Sequence, residues 1–336
     1  MAKATKLPSG NWRVQATVVI DGKKVKRSFT APTARQAELL ALDWQENQKN
    51  ESPENITVKQ AFDRYIESKR NVLSPGTVRL YISIANFHLQ TIMPLRISNV
   101  TQEQIQRAIN IEAATSSPKT TRNVHGLLSA VLSMFRPSFV LKTTLPQKKP
   151  SELYIPDDND IQKLLKAVKD TDMEVPILLA AFGPMRRGEI CALTSDDIKG
   201  NIVRVNKSVA RDADGNWVQK APKTISSYRD IEFPDFVIDK IKNIKGKITN
   251  ISPGHITRRF KKILLNNDIP VFRFHDLRHY NVSSLHAMNI PDKYIMARGG
   301  WKTNYTMNNV YNHALKNKKD EFDIKISGHF NNLYNS

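Results

Sequence analysis

His275, Arg278 and His279 lie within about one helical turn of one another in the stretch RFHDLRHYNVS. Two histidines four apart with an acid after the first could ligate zinc. A hydrolytic zinc site also needs a third protein ligand and an open position for water. Asp276 stands where the base glutamate of such a helix would be, one carbon shorter. Arg278 argues against the metal, because a guanidinium beside a dication is unfavourable unless an anion lies between them. The plain alternative is that His275 and His279 each satisfy a hydrogen bond within a helix. A second cluster, AAFGPMRRGEICALTSDDI, sets Arg186 and Arg187 between apolar flanks, with Glu189 three residues after Arg186 and able to brace it from the same helical face. Lys223 follows in the turn-like APKTISSYRD. A guanidinium fork matches two phosphate oxygens, whereas a lysine ammonium is a compact charge or proton donor. Together Arg186, Arg278, Lys223 and an imidazole could surround a phosphodiester.

The composition points the same way. The 336 residues carry 51 Lys and Arg against 32 acids, a net charge of +19. That surplus suggests a polyanionic partner, since phosphates are neutralised by Lys and Arg and the field speeds encounter. An anionic membrane surface is the rival. No run approaches the roughly eighteen apolar residues of a spanning helix, and MAKATKLPSG has no apolar signal region. Cys191 is the single cysteine, which excludes a disulfide framework and a thiolate metal cluster. A reducing cytoplasm is the expected location, with no membrane association and no cofactor.

Three segments must position these residues. Residues 1–50 contain GNWRVQATVVIDGKKVKRSFTA, which alternates apolar and polar side chains around Asp21-Gly22, a pair favoured in hairpin turns. A helix capped by Thr33 follows. Residues 1 to 37 hold eight Lys or Arg and one acid, so the short sheet is read as a DNA-contacting surface with Arg13, Lys23, Lys24, Lys26 and Arg27 as candidates. Residues 55–145 read as a helical bundle, with a break where Ser74 caps a helix opening on Pro75 and a second cap at Thr101. Lys69, Arg70, Arg79, Lys119 and Arg122 are its candidate DNA contacts. After the polar stretch PQKKPSELY, residues 153–336 are mixed: helices, turn-rich strands over 201–233, then helices to about 316. The alternating apolar positions of EFDIKISGHF suggest a short C-terminal strand. The fold class is therefore multidomain α+β.

With these residues in place, the chain resembles the tyrosine recombinases of the phage integrase family. GPMRRGEI is close to the family's first arginine motif and matches Arg186 and Glu189. Lys223 in PKTISS matches the family lysine, and HDLRH matches the H-x-x-R box with His275 and Arg278. ARGGW places Trp301 where many members have histidine and others tryptophan. Ten residues on, NNVYNHAL places Tyr311 at the nucleophile. Two departures stand out: Pro184 occupies a place where glycine is more usual, so the helix start near Arg186 is expected to shift, and Trp301 cannot exchange a proton as histidine can, although its indole N–H can hold a phosphate oxygen.

The resemblance implies an arm-type DNA-binding module at 1–50, a helical core-binding (SAM-like) domain at 55–145, and a mainly helical catalytic domain with a small antiparallel sheet at 153–336. It implies attack by Tyr311 on a scissile phosphate, stabilisation by Arg186 and Arg278, Lys223 as general acid, and proton transfer assisted by His275, with Glu189 and His279 in support. It also implies a homo-tetramer on DNA, core and arm attachment sites, an excisionase, a host DNA-bending protein, and integration of a prophage or a conjugative transposon. A type IB topoisomerase, a non-catalytic basic DNA-binding protein and a zinc nuclease are the readings outside this family.

Overall fold

A computed structural model of the chain describes residues 3–20, 23–51, 55–148, 154–222, 225–303 and 319–335. The chain divides into two compact units, residues 1–150 and 151–336.

The first unit opens with an antiparallel sheet of β1 (Thr5–Lys6), β2 (Trp12–Ile20) and β3 (Lys23–Ala31), in that order. Period-two alternation turns Val14 and Ala16 to one face, where they pack with Ala37 and Ala41 of helix α1 (Ala34–Glu51). Thr33 begins that helix, its Oγ1 accepting from the Gln36 backbone N–H at 3.3 Å. The other parity is exposed: register sets Arg13 opposite Thr30, Gln15 opposite Ser28, Thr17 opposite Lys26 and Val19 opposite Lys24. The Asp21-Gly22 turn lies outside the described residues.

Helices α2 (Val58–Lys69), α3 (Pro75–Phe87), α4 (Gln102–Thr115) and α5 (Pro118–Phe135) follow. Each starts on a hydroxyl, because Thr57, Ser74, Thr101 and Ser117 accept from the backbone N–H three residues on. Such a cap stabilises a helix by about 1 kcal/mol. Pro75 and Pro118 sit at the first helical position, where no N–H is needed. After α3 the chain turns sharply through Leu89, whose φ is 56°. The buried Glu112 holds that turn, accepting from Leu89 N–H at 2.8 Å and pairing with His88 Nδ1 at 2.7 Å. Beyond α5 the chain is clamped onto α4. Gln106 accepts from Thr144 N–H at 2.8 Å and donates to its carbonyl at 3.1 Å, and Gln102 accepts from Lys142 N–H at 3.1 Å. Four helical residues rise about 6 Å and two extended residues about 6.6 Å, so the two glutamines stay in step with alternate connector residues.

The second unit contains α6 (Asp158–Val168), α7 (Glu174–Phe182), the single turn α8 (Arg187–Ile190), β4 (Ile198–Lys199), β5 (Ile202–Val205), β6 (Ser208–Arg211), β7 (Trp217–Lys220), β8 (Arg229–Glu232), α9 (Asp235–Ile241), α10 (Pro253–Asn266), α11 (Asp276–Ala287) and α12 (Asp292–Gly299). The strands form an antiparallel sheet, β4-β5-β8, and a separate β6-β7 hairpin. α7 is apolar on every side and buried at the centre of the core, against which Ile190, Val203, Ile231, Phe260 and Leu277 also pack. The expected C-terminal strand is corrected: Lys319–Asn335 is one helix. Ile324 and Ile326 suggest a period of two, but Phe322, Ile326, Phe330 and Leu333 recur every three or four residues, and the longer period governs.

Candidate active site

Arg186 stands immediately before α8, with extended backbone at φ −77° and ψ 147°. The Pro184 turn thus leaves Arg186 as the cap and places Glu189 in the first helical turn. One Glu189 oxygen accepts the Arg186 backbone N–H at 2.8 Å and the other accepts Arg186 Nη1 at 2.8 Å. The bracing expected from the i, i+3 spacing is present. The same carboxylate is shared with Arg229, which sequence reasoning did not single out: Nη2 donates at 2.9 Å and Nη1 at 3.3 Å. Burial alone would raise the Glu189 pKa, but Arg229 and then Arg186 outweigh it and hold the carboxyl below its usual range.

The C-terminal end of α12 gathers the arginines. Three successive carbonyls each accept from a different guanidinium: Arg298 from Arg229 Nε at 2.9 Å, Gly299 from Arg278 Nη2, and Gly300 from Arg186 Nη2 at 3.5 Å. Helix C-termini expose carbonyls and carry partial negative charge, so they suit cations. On the other side the Pro184 carbonyl accepts from both Arg278 Nη1 and Arg229 Nη2. Gly300 adopts the left-handed conformation, φ 66°, that ends α12. A Cβ built at Gly299 would clash with the six-membered ring of Trp301, 1.6 Å from its nearest carbon. That ring lies 3.8 Å beneath the Arg278 guanidinium, a cation–π contact that fixes the plane of the fork.

Arg278 is 1% exposed, and among the described residues no carboxylate lies within ion-pairing distance of it. Burial, with Arg186 and Arg229 nearby, lowers its pKa well below the usual value. An unpaired buried cation costs several kcal/mol, a cost that an arriving anion offsets. His275 precedes α11 and His279 lies one turn along it, their rings meeting edge to face at 5.1 Å. His275 retains solvent exposure, yet its pKa is pushed down to about 4 by desolvation, then by His279, Arg278 and Arg186. His279 is buried and is likewise pushed down to about 4, chiefly by burial. The groups facing His275 are therefore mainly cationic, and that suits phosphate. Asp276 is engaged with Arg273, whose backbone N–H and Nη2 both donate at 2.7 Å.

Arg186, Glu189, His275, Arg278, His279 and Trp301 thus share one region of the second unit. Lys223 and Tyr311 lie outside the described residues. In the first unit Arg13, Lys24 and Lys26 are on the open face of the sheet, whereas Arg27 shares the parity of Val14's partner Phe29 and lies 5.6 Å over that ring. Lys23 pairs in register with Ile20. Lys69, Arg79 and Lys119 are exposed, Arg70 pairs with Glu67 at 3.1 Å, and the half-buried Arg122 donates to the Pro146 carbonyl at 2.9 Å.

The second unit is thus a mixed fold of helices and small antiparallel sheets around an arginine cluster able to hold an oxyanion. Residues 156–318 match the phage integrase family. A tyrosine recombinase XerC-like protein of Caldanaerobacter subterraneus subsp. tengcongensis is 22% identical over 379 aligned residues, covering 95% of this chain and 97% of that protein. Among solved structures, the Tn1549 transposon integrase in complex with transposon right end DNA superposes with a TM-score of 0.64 at 14% identity, covering 79% of this chain and 99% of that one. A lambda integrase tetramer bound to a Holliday junction gives 0.61 at 16% identity, covering 93% and 95%. At these identities the likeness of structure shows the fold. Residues 156–318 are thus a phage integrase family domain, and the chain is a homologue of tyrosine recombinases, enzymes that cleave and rejoin DNA through a tyrosine.

Proposed function

We propose that the protein is a site-specific integrase that inserts and excises a mobile element, a prophage in the first reading. Tyr311 attacks a scissile phosphate in line, forming a 3′-phosphotyrosyl link and releasing a 5′-hydroxyl. The covalent bond retains the energy of the broken one, so rejoining to a new 5′-hydroxyl needs no nucleotide cofactor. Arg186 and Arg278 neutralise the nonbridging oxygens as charge gathers on them. Lys223 protonates the departing 5′-oxygen, and the neutral His275 takes up the tyrosine proton. The observation that carries this reading is the buried, carboxylate-free Arg278 beside Arg186. A conjugative transposon is the second reading, favoured by the likeness to the Tn1549 transposon integrase.

The assembly follows from the same reading: residues 1–50 bind arm-type sites, 55–145 core-type sites, and 153–336 carry the chemistry. A tetramer, two protomers per recombining site, exchanges strands through a Holliday junction. The lambda integrase tetramer on such a junction supports this. An excisionase and a host DNA-bending protein complete the directional reaction.

The test uses the crossover sequence recovered from the ends of the DNA that carries the coding region. A half-site nicked beside the scissile phosphate should trap the wild-type protein covalently. Tyr311→Phe, which removes one oxygen and little surface, should bind that DNA and trap none. Peptide mapping of the adduct to any residue other than Tyr311 overturns the assignment.

A further inference from the structure

Arg229 touches both phosphate arginines' supports without being one of them. It opens β8 opposite Val205, on the parity that faces the core, and its side chain is only 4% exposed. Its nitrogens serve four acceptors at once. The Nη pair forms a fork on Glu189, at 2.9 and 3.3 Å. Nε reaches the Arg298 carbonyl at the end of α12, at 2.9 Å. The remaining donors close on its own strand entry and on the turn before α8: Ser227 carbonyl at 3.1 Å and Pro184 carbonyl at 3.4 Å.

Two of these acceptors also hold another arginine, and a third adjoins two carbonyls that do. Glu189 braces Arg186, the Pro184 carbonyl holds Arg278, and the two carbonyls after Arg298 receive Arg278 and Arg186. Without Arg229, Glu189 would be a buried carboxylate with Arg186 as its only ion-pair partner among the described residues. Arg186, which already gives Nη1 to Glu189, would then be drawn further onto that carboxylate and away from a phosphate. The end of α12 would lose the contact that aims Gly299 and Gly300. A close approach makes the fit strict: a Cβ at Gly300 would stand 3.3 Å from the Arg229 side chain and 2.9 Å from the Ser226 carbonyl.

We propose that Arg229 is a positioning residue for the cleavage reaction, sharing Glu189 and the α12 terminus so that Arg186 and Arg278 present their forks to the scissile phosphate. This rests on the reading of Arg186 and Arg278 as the phosphate ligands. Lysine at this position keeps the charge but cannot serve a carboxylate and three carbonyls from one plane.

The test compares the full-length wild type with Arg229→Lys and Arg229→Met by single-turnover cleavage on the nicked half-site, alongside thermal melting and half-site affinity. Both variants should cleave on the order of ten- to a hundredfold more slowly, the size of a lost oxyanion donor, with half-site binding retained. A second substrate carries an uncharged methylphosphonate in place of the scissile phosphate. Because the misplaced arginines then have less charge to neutralise, the deficit of both variants relative to wild type should shrink on this substrate. A purely structural Arg229 would give the same deficit on both substrates, and that outcome, or wild-type cleavage by Arg229→Lys, overturns the proposal. If Arg229→Met does not fold, Arg229→Lys carries the comparison alone. Arg186→Lys and Arg278→Lys are run beside them. Should those two cleave normally, the phosphate reading itself is lost; if they fail while Arg229→Lys cleaves normally, only the positioning role is lost.

Discussion

His275 owes its low proton affinity first to burial and then to the charges around it. It faces His279, Arg278 and Arg186, with Asp276 the opposing charge, and its pKa is about 4 rather than 6.5. At neutral pH it is therefore a free base, the form that can accept a tyrosine proton. A phosphate placed between Arg186 and Arg278 would offset the cations and draw that pKa upward. Imidazole resonances followed by NMR should show His275 titrating near 4 in the free protein and at higher pH with crossover DNA bound. An identical titration in both states would place the bound phosphate elsewhere. The same shifts bear on folding. Both His275 and His279 hold protons less readily folded than unfolded, so between about 6.5 and 4 the unfolded chain binds more protons. Their contribution to stability is complete above about pH 6.5 and is lost as pH falls toward 4. Urea midpoints should be level from pH 8 to 7 and decline below 6.5 by an amount that His279→Phe reduces.

At the scale of elements, the last turn of α12 matters more than its eight residues suggest. Gly299 admits the Trp301 ring against its Cα, and that ring supports Arg278. Gly299→Ala forces the ring off its seat, since the added Cβ would stand 1.6 Å from a ring carbon. The expected cost is about 1–3 kcal/mol of overpacking, with cleavage falling further than the stability loss accounts for. Melting and single-turnover rates measured on the same preparation check this, and a variant that melts lower but cleaves normally would detach Trp301 from the site. The ARGGW motif was legible as a landmark, but its packing role was not, because nothing in the letters says which side chain the ring will meet. The helices that open on Thr33, Ser74 and Thr101 were legible, since a hydroxyl cap and an N-terminal proline act within one turn of chain. Two errors have a shared origin in periodicity. Arg229 sits two residues before Ile231 and four before Phe233, on the buried parity of β8, and a charge on that parity was the available signal. In the C-terminal helix the apolar residues satisfy a period of two over a few positions and a period of 3.6 over many, and length should have decided between them.

For the whole molecule the question is whether its charge is one field or two separate DNA-binding surfaces. Residues 1–50 hold nine Lys or Arg against four acids. Their sheet covers one face with α1 and leaves the other lined by Arg13, Lys24 and Lys26 among Gln15, Thr17, Ser28 and Thr30. Cations that position, interspersed with amides and hydroxyls that can read base edges, are what a specific surface requires; a merely solubilising face needs only the charge. The arginine cluster of the second unit is built from that unit's own elements: the start of α8, β8, α11 and the end of α12. Deleting residues 1–50 should therefore leave footprints on crossover DNA and abolish those on separate arm sites, with integration reduced. Replacing Arg13, Lys24 and Lys26 by alanine in the full chain should do the same more gently. If each neutralises one phosphate, the slope of log affinity against log salt on arm DNA should fall by roughly 2 to 3, at about 0.9 per contact. The slope on crossover DNA should not move, because those contacts belong to other residues. Equal slopes for the triple variant and the wild type on arm DNA, or unchanged footprints after the deletion, would reduce the N-terminal charge to surface solvation.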